Sequence, residues 1–476
     1  MLIITKAQIK LKMEIYFCCY IIKKVREIYK MNKKPWAEIC LIVLGSLLYF
    51  MANVQRVAVP GAMFDVLTND LQTTAQAVTA LGSIFMYSYA LGQLVIGVLI
   101  ARFGGFRVVT VGSLMFFVGS LLFPFAQSLP FLYISRLLIG LGSASFYLGM
   151  INETRRLVPK KNFGVILSLI LLVGYLGGIV ANAPLVICIH ELGWRDSFLW
   201  TGVLTAVLAC LFVLIDKTVK HVEIDKTVHM DFELFKKTFS NKKNLNLYAF
   251  ACFNYGLYYV IQTVIGKKFL EDFCLMPVMK AATILSLMGF MYAIAGSVIA
   301  FISKAFLNRR TIFLRISSLN TIIVFGLILF CVCFNVKTPL IAVGFCTISF
   351  GASLSPLLVP LLHDYNGSKV ANTAVSVMTC GFYIVVALLG SVVGFCLDYF
   401  SHLRIESSYI AHNSAYIAIF SVLFLLAIVS FVSVFRIEES KKTLRLIEHI
   451  QYIKEREASE EEHWHDEYEH DLYTNI

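Results

Sequence analysis

About twelve stretches of roughly twenty mostly apolar residues, parted by short polar breaks, run through this sequence from residue 37 to residue 435. A helix rises 1.5 Å per residue, so ~20 residues cover the ~30 Å hydrocarbon core of a bilayer. Inside that core a backbone must satisfy its own hydrogen bonds, which leaves helices and closed barrels as the only spanning structures. The windows are 37–62, 74–100, 108–127, 130–151, 163–189, 196–215, 247–267, 279–303, 312–334, 338–361, 370–397 and 410–435. With 58% apolar and 15% charged residues, an ordinary soluble domain is excluded. Strands are not indicated, and the expectation is an all-α membrane protein with twelve transmembrane helices.

Basic residues mark the cytoplasmic face of a membrane. With the N-terminus inside, the cytoplasmic segments carry 33 of the 41 Lys and Arg residues and the external segments carry 6. Both termini are therefore expected in the cytoplasm, with the chain multi-pass in the inner (plasma) membrane. The net charge of +11 follows from this topology, and no nucleic-acid partner is expected.

The longest polar interruption, residues 216–246, falls between the sixth and seventh spans and divides the chain into six-helix halves at 36–215 and 247–435. Phe232, Leu234, Phe235 and Phe239 among its charges suit a cytoplasmic linker with a helix lying on the membrane surface; an unstructured tether is the alternative. Residues 1–35 form a basic N-terminal segment whose apolar patch at Ile15–Ile22 is too short to span, and Met31 offers an alternative start. Residues 436–476 form a cytoplasmic tail rich in acids. His449, His463, His465 and His470 in it have little of the spacing a metal needs. The twelve cysteines are scattered without a CxxC or Cys/His pattern, so neither a metal nor a cofactor is expected, and no hydrolase-like constellation suggests an enzyme. GVLIARFGGFR at 97–107 and GSVIAFISKAFLNRR at 296–310 are weakly alike, as a duplicated unit would be.

GVLIARFGGFR resembles the loop signature between helices 2 and 3 of the major facilitator superfamily, with Gly97, Leu99, Arg102, Gly104 and Arg107 in place and Ala101 where the family has Asp. YISRLLIGLGSA is similar to its fourth-helix pattern through Arg136, Gly140 and Gly142; GYLGGIVANAPL and GWRDSFLW resemble its fifth and sixth helices. The resemblance covers 36–435 and implies two six-helix bundles that carry a solute by alternating access. It assigns gating to Gly97, Arg102, Gly104 and Arg107, and places Arg136 at the interface of helix 4 with helix 1, with a part in proton coupling. The missing carboxylate at Ala101 implies a latch that is built from other groups or is weaker. NVQRVAVPGAMFDVL and YYVIQTVIGKKFLEDF are similar to a bacterial branch related to organic-anion and dipeptide carriers.

Among residues that carry chemistry, Arg56 stands inside the first span, where a charge costs a few kcal/mol or more unless it meets a wet cavity or a partner. Its planar five-donor fork suits a carboxylate or phosphate; pairing with Asp65 or snorkelling to the helix end are the alternatives. Asn254, Tyr255, Tyr258, Tyr259 and Gln262 recur at helical spacing on the seventh span, and Asn372, Ser376, Thr379 and Tyr383 on the eleventh. They read as substrate walls or as interhelical glue. Tyr87, Ser83, Tyr175, Asn182, Ser353 and Ser355 are weaker candidates of the same kind. No carboxylate stands near the middle of a span, so Asp65 is the best titratable group for coupling if it pairs with Arg56; otherwise facilitated diffusion or exchange is open. The expected function is a secondary transporter of a small polar or anionic metabolite or short peptide, with protons as the candidate symported ion. An exporter of amphiphilic compounds and a non-transporting membrane sensor are the alternatives. Expected partners are the small-molecule substrate and the lipid bilayer, and a monomer is expected.

Overall fold

The computed structural model describes residues 36–219, 232–306, 309–366, 368–401 and 409–440, together with 444, 445 and 452. The basic N-terminal segment and the four tail histidines lie outside the described residues, as does the linker stretch 220–231.

Every regular element among the described residues is helical, and the long ones follow the apolar windows. Helix α1 spans Trp36–Ala62, α2 Ala75–Phe103, α3 Gly105–Phe125, α4 Leu129–Leu157, and α6 Trp194–Asp216. Helix α5 runs Lys160–Val180 and, after a break, Ala183–Leu192. Helix α7 runs from Lys242–Val260 through a wide turn at Ile261–Ile265 to Gly266–Asp272. Then come α8 Val278–Ala305, α9 Arg310–Phe334, α10 Leu340–Ala352 with Ser355–Tyr365, α11 Ser368–Tyr399 and α12 Tyr409–Phe435. Eleven of the described helices are long and apolar enough to cross a membrane on their own. The twelfth is α7, whose polar and phenolic residues lower its hydropathy and whose wide turn interrupts it.

The departures from regular helix have local causes. In α1, Pro60 removes a backbone donor and the chain widens at Ala58–Ala62, with Val59 extended at φ −119° and ψ 121°. The wide turn of α7 lies against it, so close that a Cβ on Gly61 would sit 2.9 Å from the Thr263 carbonyl oxygen. The break in α5 is satisfied from α8: Ser286 Oγ donates to the Ile179 carbonyl and accepts from the Ala183 amide, at 3.2 and 3.0 Å. At the α5 break the freed backbone groups thus find a side-chain partner, as hydrocarbon surroundings require.

The chain clusters into two compact units. The first holds residues 36–55, Leu91–Gly177 and 192–219; the second holds Arg56–Ala90, Gly178–Glu191 and the described residues from 232 onward. In the first, α3 packs on α4 and α6, with Phe116 edge-on to Phe146 at 5.2 Å and Ser135 Oγ bonded to the Gly119 carbonyl. In the second, α7 packs on α11 and α12, and α9 on α12. Asn254 of α7 ties that unit together, donating to Gly351 O at 2.7 Å and Ser317 Oγ at 3.1 Å while accepting from Thr321 Oγ1 at 2.8 Å. The linker carries a helix at Phe232–Ser240, against α11, with Thr238 buried and Phe239 exposed.

Candidate functional site

Arg56 ends the regular part of α1, immediately before the wide turn, and is 2% exposed. Its Nη1 donates to the Tyr383 hydroxyl at 3.1 Å. The guanidinium carbon lies 4.6 Å from the Tyr89 ring centroid and 5.2 Å from that of Tyr383. Tyr383 meets Tyr89 edge-on at 4.6 Å and Tyr255 at 5.9 Å; Tyr255 stacks on Tyr259 at 5.2 Å and on Phe382 at 4.6 Å. Four elements, α1, α2, α7 and α11, thus build an aromatic cage around one cation. Ring faces stabilise a desolvated guanidinium by ~2 kcal/mol, far less than a carboxylate gripping both edges of the fork would.

Asp65 is not the partner of Arg56. Its carboxylate accepts from Lys268 Nζ at 2.6 Å, and Lys268 also reaches Asp272 at 3.3 Å. The wide turn and the break at Met63 put Asp65 on a new helix, Phe64–Asp70, out of register with Arg56.

The polar stripe of α7 divides three ways. Tyr255 and Tyr259, four apart, stand in the cage. Tyr258 stacks on Tyr292 of α8 at 4.8 Å, and Gln262 Nε2 donates to the Leu285 carbonyl of α8 at 3.0 Å. Asn254 faces α9 and α10, as above. On α11 Tyr383 accepts from Arg56, Thr379 bonds the Ser376 carbonyl of its own turn, Ser376 is exposed, and the Asn372 side chain lies outside the described residues. Of the weaker candidates, Asn182 bonds its own turn at Gly178, while Ser83 bonds the Ala387 carbonyl of α11.

Arg136 is fully buried in the first unit. Its Nη2 donates to the Gln55 carbonyl at 3.0 Å, its Nη1 to Gln55 Oε1 at 3.5 Å, and Phe123 lies 5.6 Å from its guanidinium carbon. Gln55 Nε2 continues to Thr201 of α6 at 3.3 Å. The helix 2–3 signature is also built. Gly104, at φ 87°, makes the left-handed turn that starts α3. Glu153 of α4 accepts from the Gly105 and Phe106 amides at 2.7 and 3.3 Å and from Arg156 Nε at 2.8 Å. A carboxylate at a helix N-terminus is stabilised by the amides that point at it. Position 101, the signature's acidic position, is Ala, so the carboxylate at the start of α3 is the one from α4. Arg102 and Arg107 are exposed, and Gly97 has open space around its Cβ position.

Sequence reasoning missed Gln55, Tyr89 and Glu153. Gln55 is the neighbour of a charge inside a span, which was a usable signal; Tyr89 is one aromatic among many, and Glu153 meets the start of α3 only once the chain has folded.

Fold and site together define a polytopic α-helical membrane protein. The sequence model of the Major Facilitator Superfamily matches residues 45–388, most of the chain. The chain belongs to that superfamily. It is 31% identical over 34% of its length to the uncharacterized transporter YybO of Bacillus subtilis, covering 37% of that protein. It is 25% identical over 38% of its length to the probable sulfoacetate transporter SauU of Cupriavidus necator, covering 43%, and 28% identical over 35% to the probable anion transporter 1, chloroplastic, of Oryza sativa, covering 31%. The chain therefore spans less than half the length of these curated relatives. Among solved structures, it superposes with a TM-score of 0.70 on a POT family transporter in complex with 5-aminolevulinic acid, at 11% identity, covering 87% of this chain and 99% of that one. A bacterial homolog of the human lysosomal transporter Spinster gives a TM-score of 0.66 at 14% identity, covering 85% and 96%. These superpositions establish the fold.

Proposed function

We propose that this protein is a secondary carrier that moves a small organic anion across the plasma membrane by alternating access, with Arg56 as the group that holds the anion. The observation that carries this reading is a guanidinium buried within α1 beside the Tyr383 hydroxyl and the ring faces of Tyr89 and Tyr383. Such a cation is expensive in hydrocarbon and pairs best with a carboxylate, sulfonate or phosphate arriving from water. Relatives named as a probable sulfoacetate transporter, a probable anion transporter and an ascorbate transporter support an anionic substrate.

The six-helix halves 36–215 and 247–435 are the moving bodies, joined by 216–246, and one chain is the working unit. The excess of Lys and Arg on one set of loops supports cytoplasmic termini. Tyr255, Tyr259 and Tyr383 line the anion; Tyr258, Gln262, Ser376, Thr379 and Asn372 take contacts further from its charge. Arg136 and the Gly97, Arg102, Gly104 and Arg107 signature serve the conformational change, and Asp65 acts through Lys268.

Uptake of sulfoacetate, ascorbate and phosphate into proteoliposomes tests the reading. At least one is expected to accumulate, with the rate falling about 100-fold in Arg56→Gln as a bidentate charged contact is lost. Equal anion flux in the variant would remove Arg56 from the site. Imposing a pH gradient, with and without an uncoupler, reads proton symport in the same vesicles.

A further inference from the structure

Tyr383 belongs to a longer pattern. One face of α11, stepping by three or four residues, carries Tyr383, Ala387, Ser391, Gly394 and Asp398. Each position meets α2 in turn. Tyr383 lies edge-on to Tyr89; the Ala387 carbonyl accepts from Ser83 Oγ at 2.9 Å, and Ser391 Oγ lies 3.3 Å from the same hydroxyl. Gly394 leaves no room for a Cβ against Thr79. At the far end the Asp398 carboxylate accepts from the first amides of α2, Ala75 N at 2.9 Å and Gln76 N at 2.8 Å, a cap supplied from across the seam. The seam therefore runs without interruption from the helix 1–2 connection to Arg56, and its innermost rung is the Tyr383 hydroxyl on the guanidinium.

We propose that Tyr383 is a placeholder for the substrate anion, and that its displacement from Arg56 unlocks the α2–α11 seam from within. This rests on Arg56 being the anion site. A phenol oxygen is a neutral, single acceptor, so an anion that takes both edges of the fork outcompetes it. Once released, Tyr383 no longer ties α11 to α1, and the seam is left with its Ser83 and Asp398 rungs. Anion binding then lowers the cost of opening at that end, which is the differential interaction a ligand needs in order to shift a conformational equilibrium. Tyr383 is thus a positioning residue whose hydroxyl both competes with the substrate and reports its arrival.

The test pairs Ser83→Cys with Ser391→Cys, whose oxygens already lie 3.3 Å apart, and follows oxidative disulfide formation in reconstituted protein by mass spectrometry of the joined peptides. Tyr383→Phe keeps both ring contacts and removes only the acceptor. Without any added anion, cross-linking is expected to slow about fivefold in Tyr383→Phe, the scale of one hydrogen bond; an unchanged rate overturns the placeholder. Saturating sulfoacetate, ascorbate and inorganic phosphate are then added separately. At least one should slow the native pair and add nothing in Tyr383→Phe; no response of the native pair to any of the three overturns the link between site and seam. A response that survives Arg56→Gln instead refutes Arg56 as the anion site and leaves the ligand-free result standing. In transport, Tyr383→Phe should lower KM and the maximal rate together, a split that mere loosening of the fold does not produce.

Discussion

The two buried arginines solve the same electrostatic problem in opposite ways. Arg136 is 0% exposed and Arg56 2%. Arg136 is gripped by backbone: the Gln55 carbonyl at 3.0 Å cannot leave without unwinding α1, and the Gln55 amide is itself pinned to Thr201. Arg56 meets side chains that turn about their own rotatable bonds, among them the Tyr383 hydroxyl at 3.1 Å and two ring faces. A cation fixed by main chain suits a joint that stays closed while its surroundings move; in the proposed reading, a cation met by rotatable phenols suits an occupant that can leave.

The comparison breaks most sharply at Arg136→Ala. That change leaves the Gln55 acceptors unsatisfied beside a new cavity, a loss of ~3–5 kcal/mol from the cavity and desolvation penalties together. A markedly lower unfolding temperature in detergent is expected, with little protein surviving purification. Arg56→Gln provides the contrast. Replacing a buried charge by an uncharged amide relieves desolvation, so its unfolding temperature should match or exceed that of the native protein even though uptake is lost. Equal destabilisation by both variants would erase the distinction between the two arginines.

Asn254→Ala sharpens the same contrast within α7. The side chain spends its amide on α9 and α10, so its loss should cost ~2 kcal/mol for buried groups left unpaired while KM stays unchanged. Tyr255 and Tyr259, one position and five positions further on, should behave in the opposite manner. A raised KM in Asn254→Ala would return it to the substrate wall.

That split explains what the sequence could and could not reveal. The apolar windows located all twelve membrane helices, because bilayer thickness dictates their length. Arg56 was legible as a lone charge inside a span. The partition of the α7 stripe was not, because 254, 255, 258, 259 and 262 share helical spacing while their fates depend on which neighbour each meets. The wide turn at Ile261–Ile265 also shifts Gln262 relative to an ideal helix. Pro60 signalled a defect in α1, but only the structure shows Asp65 carried by it to Lys268. Ala101 announced a missing carboxylate; that Glu153, about fifty residues on, caps the start of α3 is a contact that no local pattern encodes.

The smallest expected effect is at Gly97, in the same signature as Gly104. Gly104 needs to be glycine for its backbone, at φ 87°. Gly97 lies in the regular helix α2, and a Cβ there would meet nothing within 4 Å. A mid-helix glycine costs ~0.5–1 kcal/mol relative to alanine, so in this conformation Gly97→Ala should raise stability by about that amount. On the alternating-access proposal, Gly97 serves a second state in which a neighbouring helix closes on that face. Gly97→Ala is accordingly expected to unfold at a slightly higher temperature and to transport more slowly, with KM little changed. Faster or unchanged uptake would mean that the signature glycine gates nothing, and the conformational role would then fall to Gly104 and the Glu153 cap alone.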